Sequence, residues 1–214
     1  VTLPSDIYKH LLNNASKYAK ENILRKFTYK EKCTCIINDF LLRELFYKNY
    51  GFRYGKNEIV INDFGKPFFR ENCGYHFNFS HSDEYAVIAL GEIFVGVDIE
   101  KIEAFNIKTK SLFVADQDYL SECKTKMSLC LLWTAKESYC KAVGYGLSVP
   151  PKDVHIIKEG SRFEVRREND YQRWFVEHIL LDDVVIAVCS NGWFYLKHNK
   201  VNIKETISNI IKYK

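Results

Sequence analysis

Asp98 and Glu100 stand two residues apart in the run Gly96-Val97-Asp98-Ile99-Glu100, which continues an apolar stretch from Ile93. On a strand, residues two apart point to one side, so both carboxylates share a face and Val97 and Ile99 take the other. Carboxylates held that close repel each other unless a cation lies between them. Magnesium suits such oxygen ligands and completes its shell with water and substrate phosphates. Gly96, without a side chain, permits close approach of a backbone or a ligand. The plainer alternative is a strand end with two solvated acids.

Glu137 and Lys141 lie four apart in Trp133-Thr134-Ala135-Lys136-Glu137-Ser138-Tyr139-Cys140-Lys141, which places them on one face of a helix. As an exposed ion pair they are worth only about 0.3–0.5 kcal/mol. The apolar setting of Leu129, Leu132, Trp133, Ala135 and Val143, and the Gly144-Tyr145-Gly146 loop beyond, favour a ligand site instead. If Glu137 joins Asp98 and Glu100, three carboxylates surround one cation. Lys141, one turn further on, then reaches the same phosphate, and metal and lysine together offset the charge of a pyrophosphate.

Two further segments carry polar groups. Ser80 and His81, in Asn78-Phe79-Ser80-His81-Ser82, can donate a hydroxyl and a ring N–H to an anion. A simple turn, with Ser82 and Asp83 bonding the backbone, is the alternative. A Ser-His hydrolase pair is disfavoured, because no GxSxG elbow is present. Gly65-Lys66-Pro67 is a turn with a projecting lysine, and GxxxxGK[ST] is absent.

These side chains need a strand, a helix and turns to hold them. The chain opens helically over about 4–20, with Ile7, Leu11, Leu12 and Ala15 at helical spacing. A second helix is expected over about 29–48, closed by Tyr50-Gly51. Phe77 to Ser80 reads as a short strand. Tyr85 to Leu90 and Ile93 to Ile99 read as a hairpin about Gly91-Glu92. Phe105 to Cys123 is expected to be mostly helical, with a break near Ala115-Asp116. Lys126 to Val143 is the strongest helix pattern, ended by Gly144 and barred from resuming by Pro150-Pro151. Strands are expected near 154–158, 162–166, 174–180, 184–189 and 193–196, and a short helix from Val201. The order predicts an α+β fold rather than a parallel α/β sheet, in two halves, 1–95 and 96–214.

Composition sets the class. The 214 residues are 47% hydrophobic and 27% charged, which suits a soluble globular chain. The 31 basic and 27 acidic residues give +4, too mild and too evenly spread for most nucleic-acid binders. That charge suits an anionic small molecule or an acidic protein partner. No run approaches the roughly 18–20 apolar residues of a membrane span. The start, with Pro4, Asp6 and Lys9, does not read as a secretion signal. Seven scattered cysteines include no CxxC pair, so buried free thiols in a reducing cytoplasm are expected rather than a zinc site.

Taken in order, Gly65-Lys66-Pro67, Asn78-Phe79-Ser80-His81-Ser82, Gly96-Val97-Asp98-Ile99-Glu100 and Trp133 to Lys141 resemble the surfactin-type 4′-phosphopantetheinyl transferases. The likeness spans about residues 65–147, and the length suits the two-half monomeric type. It implies an α+β fold of two similar halves with pseudo-two-fold symmetry, each a small antiparallel sheet packed with helices, and coenzyme A between them. The first half would be the nucleotide side and the second would carry the metal site. The resemblance implies magnesium, or manganese, on Asp98, Glu100 and Glu137. Asp98, Glu137 and Lys141 would serve catalysis, and Lys141, Lys66, Ser80, His81 and Lys30 would contact coenzyme A. An Arg-Thr pair that often holds the 3′-phosphate in this type is replaced here by Thr34 and Cys35. Arg25, Lys26, Lys30 or Lys32 could supply that charge. The implied partners are coenzyme A and an apo acyl or peptidyl carrier protein, with neither nucleic acid nor membrane. Competing readings are another magnesium enzyme, such as a nuclease, and a non-catalytic coenzyme A or carrier-binding module.

Overall fold

The structure, a computed structural model, describes residues 2–51, 59–70, 74–83, 85–198 and 200–201. The chain divides into two compact units, residues 1–60 with 195–214, and residues 61–194.

The first unit is built on helices α1 (Ser5–Asn14), α2 (Lys17–Leu24) and α3 (Tyr29–Tyr50). The single opening helix expected over 4–20 is two helices. Ala15 is extended, and the Ser16 side chain accepts the Ala19 amide as the N-cap of α2. A serine that bonds the backbone three residues on favours a new helix start over continuation. The Ser16 amide in turn donates to buried Asp39 on α3 at 3.1 Å. Thr28 and Glu31 close a reciprocal capping box on α3, and Gly51 ends it at φ 74°. Leu3, Ile7, Leu11, Ala19, Ile36 and Phe40 are among the residues that form this unit's core.

Strand β1 (Ile59–Ile61) spans the division between the units. The second unit continues with β2 (Pro67–Phe69), β3 (His76–Ser82), β4 (Tyr85–Gly91) and β5 (Val95–Lys101). Short 3-10 turns and α4 (Lys110–Phe113) follow, then α5 (Lys126–Val143). The chain closes this unit with β6 (His155–Glu159), β7 (Arg162–Arg166), β8 (Trp174–Leu181) and β9 (Val184–Ser190). A five-stranded antiparallel sheet runs β5-β9-β8-β7-β6, and β3 pairs β4 in a separate hairpin. The fold is α+β, as expected. Leu129, Leu132, Tyr139 and Cys140 of α5 share a core with Val165, Trp174, Val176, Ala187 and Cys189 of the sheet.

Three local expectations are corrected. The hairpin about Gly91-Glu92 does not form, because β4 is bonded to β3 and β5 is bonded to β9, with Asp98 opposite Ala187. The 105–123 segment is mostly turns, with only four residues of α-helix. Here the Asp118 carboxylate takes the Ala115 and Ile156 amides, 2.8 and 2.9 Å, and so replaces helical partners. Residues 193–196 form no strand. The helix expected from Val201 lies outside the described residues.

Candidate active site

The two acids of β5 reach the helix because of Gly96. A Cβ there would lie 2.0 Å from the Ser138 carbonyl oxygen and 2.3 Å from the Ala142 amide nitrogen. No side chain fits, so α5 packs directly on β5. Thr125 caps the start of α5 and Gly144, at φ 80°, ends it. Around that end, the Asn62 side-chain Nδ2 donates to the Gly144 carbonyl at 2.9 Å and the Lys66 ammonium to the Ala142 carbonyl at 2.6 Å. A cation here complements the negative end of the helix dipole.

Phe79, Ser80, His81, Asp98, Glu100, Trp133, Glu137 and Lys141 line one cleft of about 370 Å³. The Lys141 ammonium lies 2.6 Å from Asp98 Oδ1 and donates to the Ser80 hydroxyl oxygen at 2.9 Å. Ser80 itself donates to Asp98 Oδ1 at 2.9 Å, and Ser82 donates to Glu100 Oε2 at 3.2 Å. Burial first, then the Asp98 charge, raises the pKa of Glu100, against the opposing pull of Ser82 and Lys141. Burial and Asp98 likewise raise Glu137, with Lys141 opposing and Glu100 adding to the rise. The three carboxylates therefore share one field.

One observation bears on whether these side chains suit a divalent ion. Asp98 is 3% exposed, and its Oδ2 has no hydrogen-bond partner. A buried carboxylate oxygen left in that state is costly unless a cation meets it. Among the described residues, no three Asp, Glu, His or Cys side chains close on a single ligating point. Asp98 Oδ1 is instead held by Lys141 and Ser80.

The structure thus brings together Ser80, His81, Asp98, Glu100, Glu137 and Lys141. Lys66 is directed elsewhere, to the carbonyls of Ala142 and, at 3.5 Å, Val95. Burial lowers its pKa to about 8. Lys30 is exposed on α3 of the first unit. The Thr34 hydroxyl bonds the Lys30 carbonyl and Cys35 is buried, so neither presents a charge. Sequence reasoning missed Asn78, Ser82, Phe79 and Trp133 as contributors. The signal for the first two was the period of two through Asn78, Ser80 and Ser82 on one strand. Trp133 lies four residues before Glu137 and so shares its helix face.

Comparison with known proteins agrees in kind. The model of the 4′-phosphopantetheinyl transferase superfamily (ACPS) matches residues 94–189. The 4′-phosphopantetheinyl transferase gsp of Aneurinibacillus migulanus is 30% identical over 181 residues, 79% of this chain and 74% of that protein. A 4′-phosphopantetheinyl transferase of Bacillus subtilis is 28% identical over 180 residues, 80% of each chain. The solved structure of Thermotoga maritima holo-[acyl-carrier-protein] synthase covers 45% of this chain and 61% of that chain, with a TM-score of 0.38 at 19% identity, too low a likeness to bear on the fold.

Proposed function

We infer the function from one premise: this chain belongs to the 4′-phosphopantetheinyl transferase superfamily. It transfers the 4′-phosphopantetheine group of coenzyme A to a serine of an apo carrier protein. The serine hydroxyl attacks the β-phosphorus. A P–O bond to serine forms, the pyrophosphate P–O bond breaks, and adenosine 3′,5′-bisphosphate leaves. The observation that carries the site assignment is the convergence of Asp98, Glu100, Glu137 and Lys141 on one cleft.

Asp98, Glu100 and Glu137 would hold magnesium, or manganese, which when bound offsets the negative charge of the pyrophosphate. Lys141, already drawn to Asp98, stabilises charge that builds on the leaving phosphate. Glu137, directly or through a water, is the base for the serine proton, and burial raises its pKa and so strengthens its carboxylate as a proton acceptor. His81 and Ser80 bind the nucleotide end, Lys30 keeps its proposed part in coenzyme A binding, and Lys66 would share in it only by turning away from the Ala142 carbonyl. Coenzyme A is proposed to lie between residues 1–95 and 96–214. We read the protein as a cytoplasmic monomer acting on an acyl or peptidyl carrier of fatty-acid, polyketide or nonribosomal-peptide synthesis. The mild charge of +4 supports a partner other than nucleic acid.

The test is to incubate the protein with coenzyme A, magnesium and apo acyl and peptidyl carriers, and to weigh each carrier. A gain of one phosphopantetheine group identifies activity and partner together. Coenzyme A binding with no gain on any carrier points to the non-catalytic module. Asp98→Ala, Glu137→Ala and Lys141→Ala are each expected to remove transfer while melting stays cooperative. Turnover at the parent rate by Asp98→Ala or Glu137→Ala would refute the site assignment.

A further inference from the structure

We propose that alternate residues of β3, namely Asn78, Ser80 and Ser82, form a polar row that fixes the carboxylates of β5, with Ser82 the positioning residue for Glu100. The inference rests on the reading of Asp98, Glu100 and Glu137 as cation ligands. Residues two apart on a strand share a face, so these three side chains point the same way. β3 and β5 belong to different sheets. They are joined instead by this row. The Asn78 carboxamide oxygen accepts the Val97 amide at 3.0 Å, Ser80 donates to Asp98 Oδ1 at 2.9 Å, and Ser82 donates to Glu100 Oε2 at 3.2 Å. The partners advance along β5 as the donors advance along β3, so the two strands run in the same direction.

Asn78 and Ser80 are buried, at 5% and 6% exposure, and Ser82 is half-buried. Asn78 satisfies an amide on the edge of β5 that has no strand partner on that side, directly before Asp98. Each serine then holds one oxygen of a carboxylate and sets the torsion of the whole group. For Asp98 the consequence is visible, since Oδ1 is held and Oδ2 is left without a partner in the buried interior. Hydrogen bonds of this kind orient metal-binding carboxylates, and their loss weakens metal affinity by roughly 10–100-fold. Ser82 is the informative position, because Ser80 also touches Lys141 and Asn78 also holds backbone.

The experiment titrates Mn²⁺ alone into the full chain and reads free Mn²⁺ by electron paramagnetic resonance, for the parent, Ser82→Ala and Ser82→Thr. Thermal melting runs alongside. Ser82→Ala is expected to bind Mn²⁺ about tenfold more weakly or worse, with an unchanged melting temperature. Ser82→Thr keeps the hydroxyl and is expected to restore binding, which a general packing defect would not do. Equal affinity in Ser82→Ala and the parent overturns the role of Ser82 and leaves the metal reading intact. A parent chain that takes up no Mn²⁺ overturns the metal reading itself, and the polar row as its support falls with it.

Discussion

Lys66 stands in a Gly-Lys-Pro turn that offers a projecting amine in the sequence, and its ammonium is folded back onto the carbonyls at the end of α5. Burial lowers its pKa to about 8 from the usual 10.5. The unfolded chain therefore binds this proton more tightly than the folded chain, and between about pH 8 and 10.5 the unfolded state carries more protons. Stability from this group rises with pH across that window. Urea unfolding followed from pH 7.5 to about 10 is expected to show the rise in the parent and to lose it in Lys66→Met. An identical pH profile for the two proteins would remove Lys66 as its source. Asp98, Glu100, Glu137 and Lys141 were legible as chemistry because their types and their spacings of two and four fix a face before any packing is known. Ser82 was not, because its partner Glu100 lies 18 residues away on a strand of another sheet.

α5 was legible to its ends, since Thr125 and Gly144 mark a helix start and stop in the sequence and cap it in the structure. Its placement depends on Gly96 and on Lys136. Gly96→Ala puts a methyl carbon 2.0 Å from a backbone oxygen of α5, so strand and helix must separate. Overpacking of this kind costs at least about 1–3 kcal/mol. Transfer is expected to fall far more than for a surface Gly→Ala change of equal stability cost, because Asp98 and Lys141 move apart. Unchanged transfer in a stably folded Gly96→Ala would mean that close packing of β5 and α5 is not needed for the site. Lys136, 1% exposed, binds α5 to the irregular 113–118 segment through Asp118 at 2.6 Å and the Phe113 carbonyl at 2.8 Å, and to Pro151 at 3.0 Å. Lys136→Met leaves a buried carboxylate without its cation and is expected to cost roughly 3–5 kcal/mol by urea unfolding. Adding Asp118→Asn should recover part of that loss. If the single variant is as stable as the parent, the pair does not hold α5. The 105–123 segment misled because its apolar residues pack against the α5 core from mixed backbone, Phe113 at the end of the four-residue α4 and Tyr119 from a turn.

At the scale of the whole chain, the cysteines offer a readout of each unit by itself. Among the described residues, Cys33 and Cys35 lie in the first unit, and Cys123, Cys130, Cys140 and Cys189 in the second; these six are free and buried. Burial first of all holds Cys35 up to about 11, and Cys130 and Cys140 up to about 12, so little thiolate exists at neutral pH. Pulsed alkylation in rising urea, with the sites located by mass spectrometry, is expected to modify these thiols only where their own unit has unfolded. Rapid labelling of Cys130 or Cys140 in the native protein would contradict their burial. The sequence alone determined the acids and the lysine, the helix that carries two of them, the strand that carries the other two, and the α+β class. Each of these rests on periodicity and end signals that act over a few residues. Only the tertiary structure decided that β5 pairs with β9, that Lys66 turns to the end of α5, and that a row of side chains on β3 holds the acids of β5. Those outcomes depend on contacts between segments far apart along the chain, and local residue preferences do not encode them.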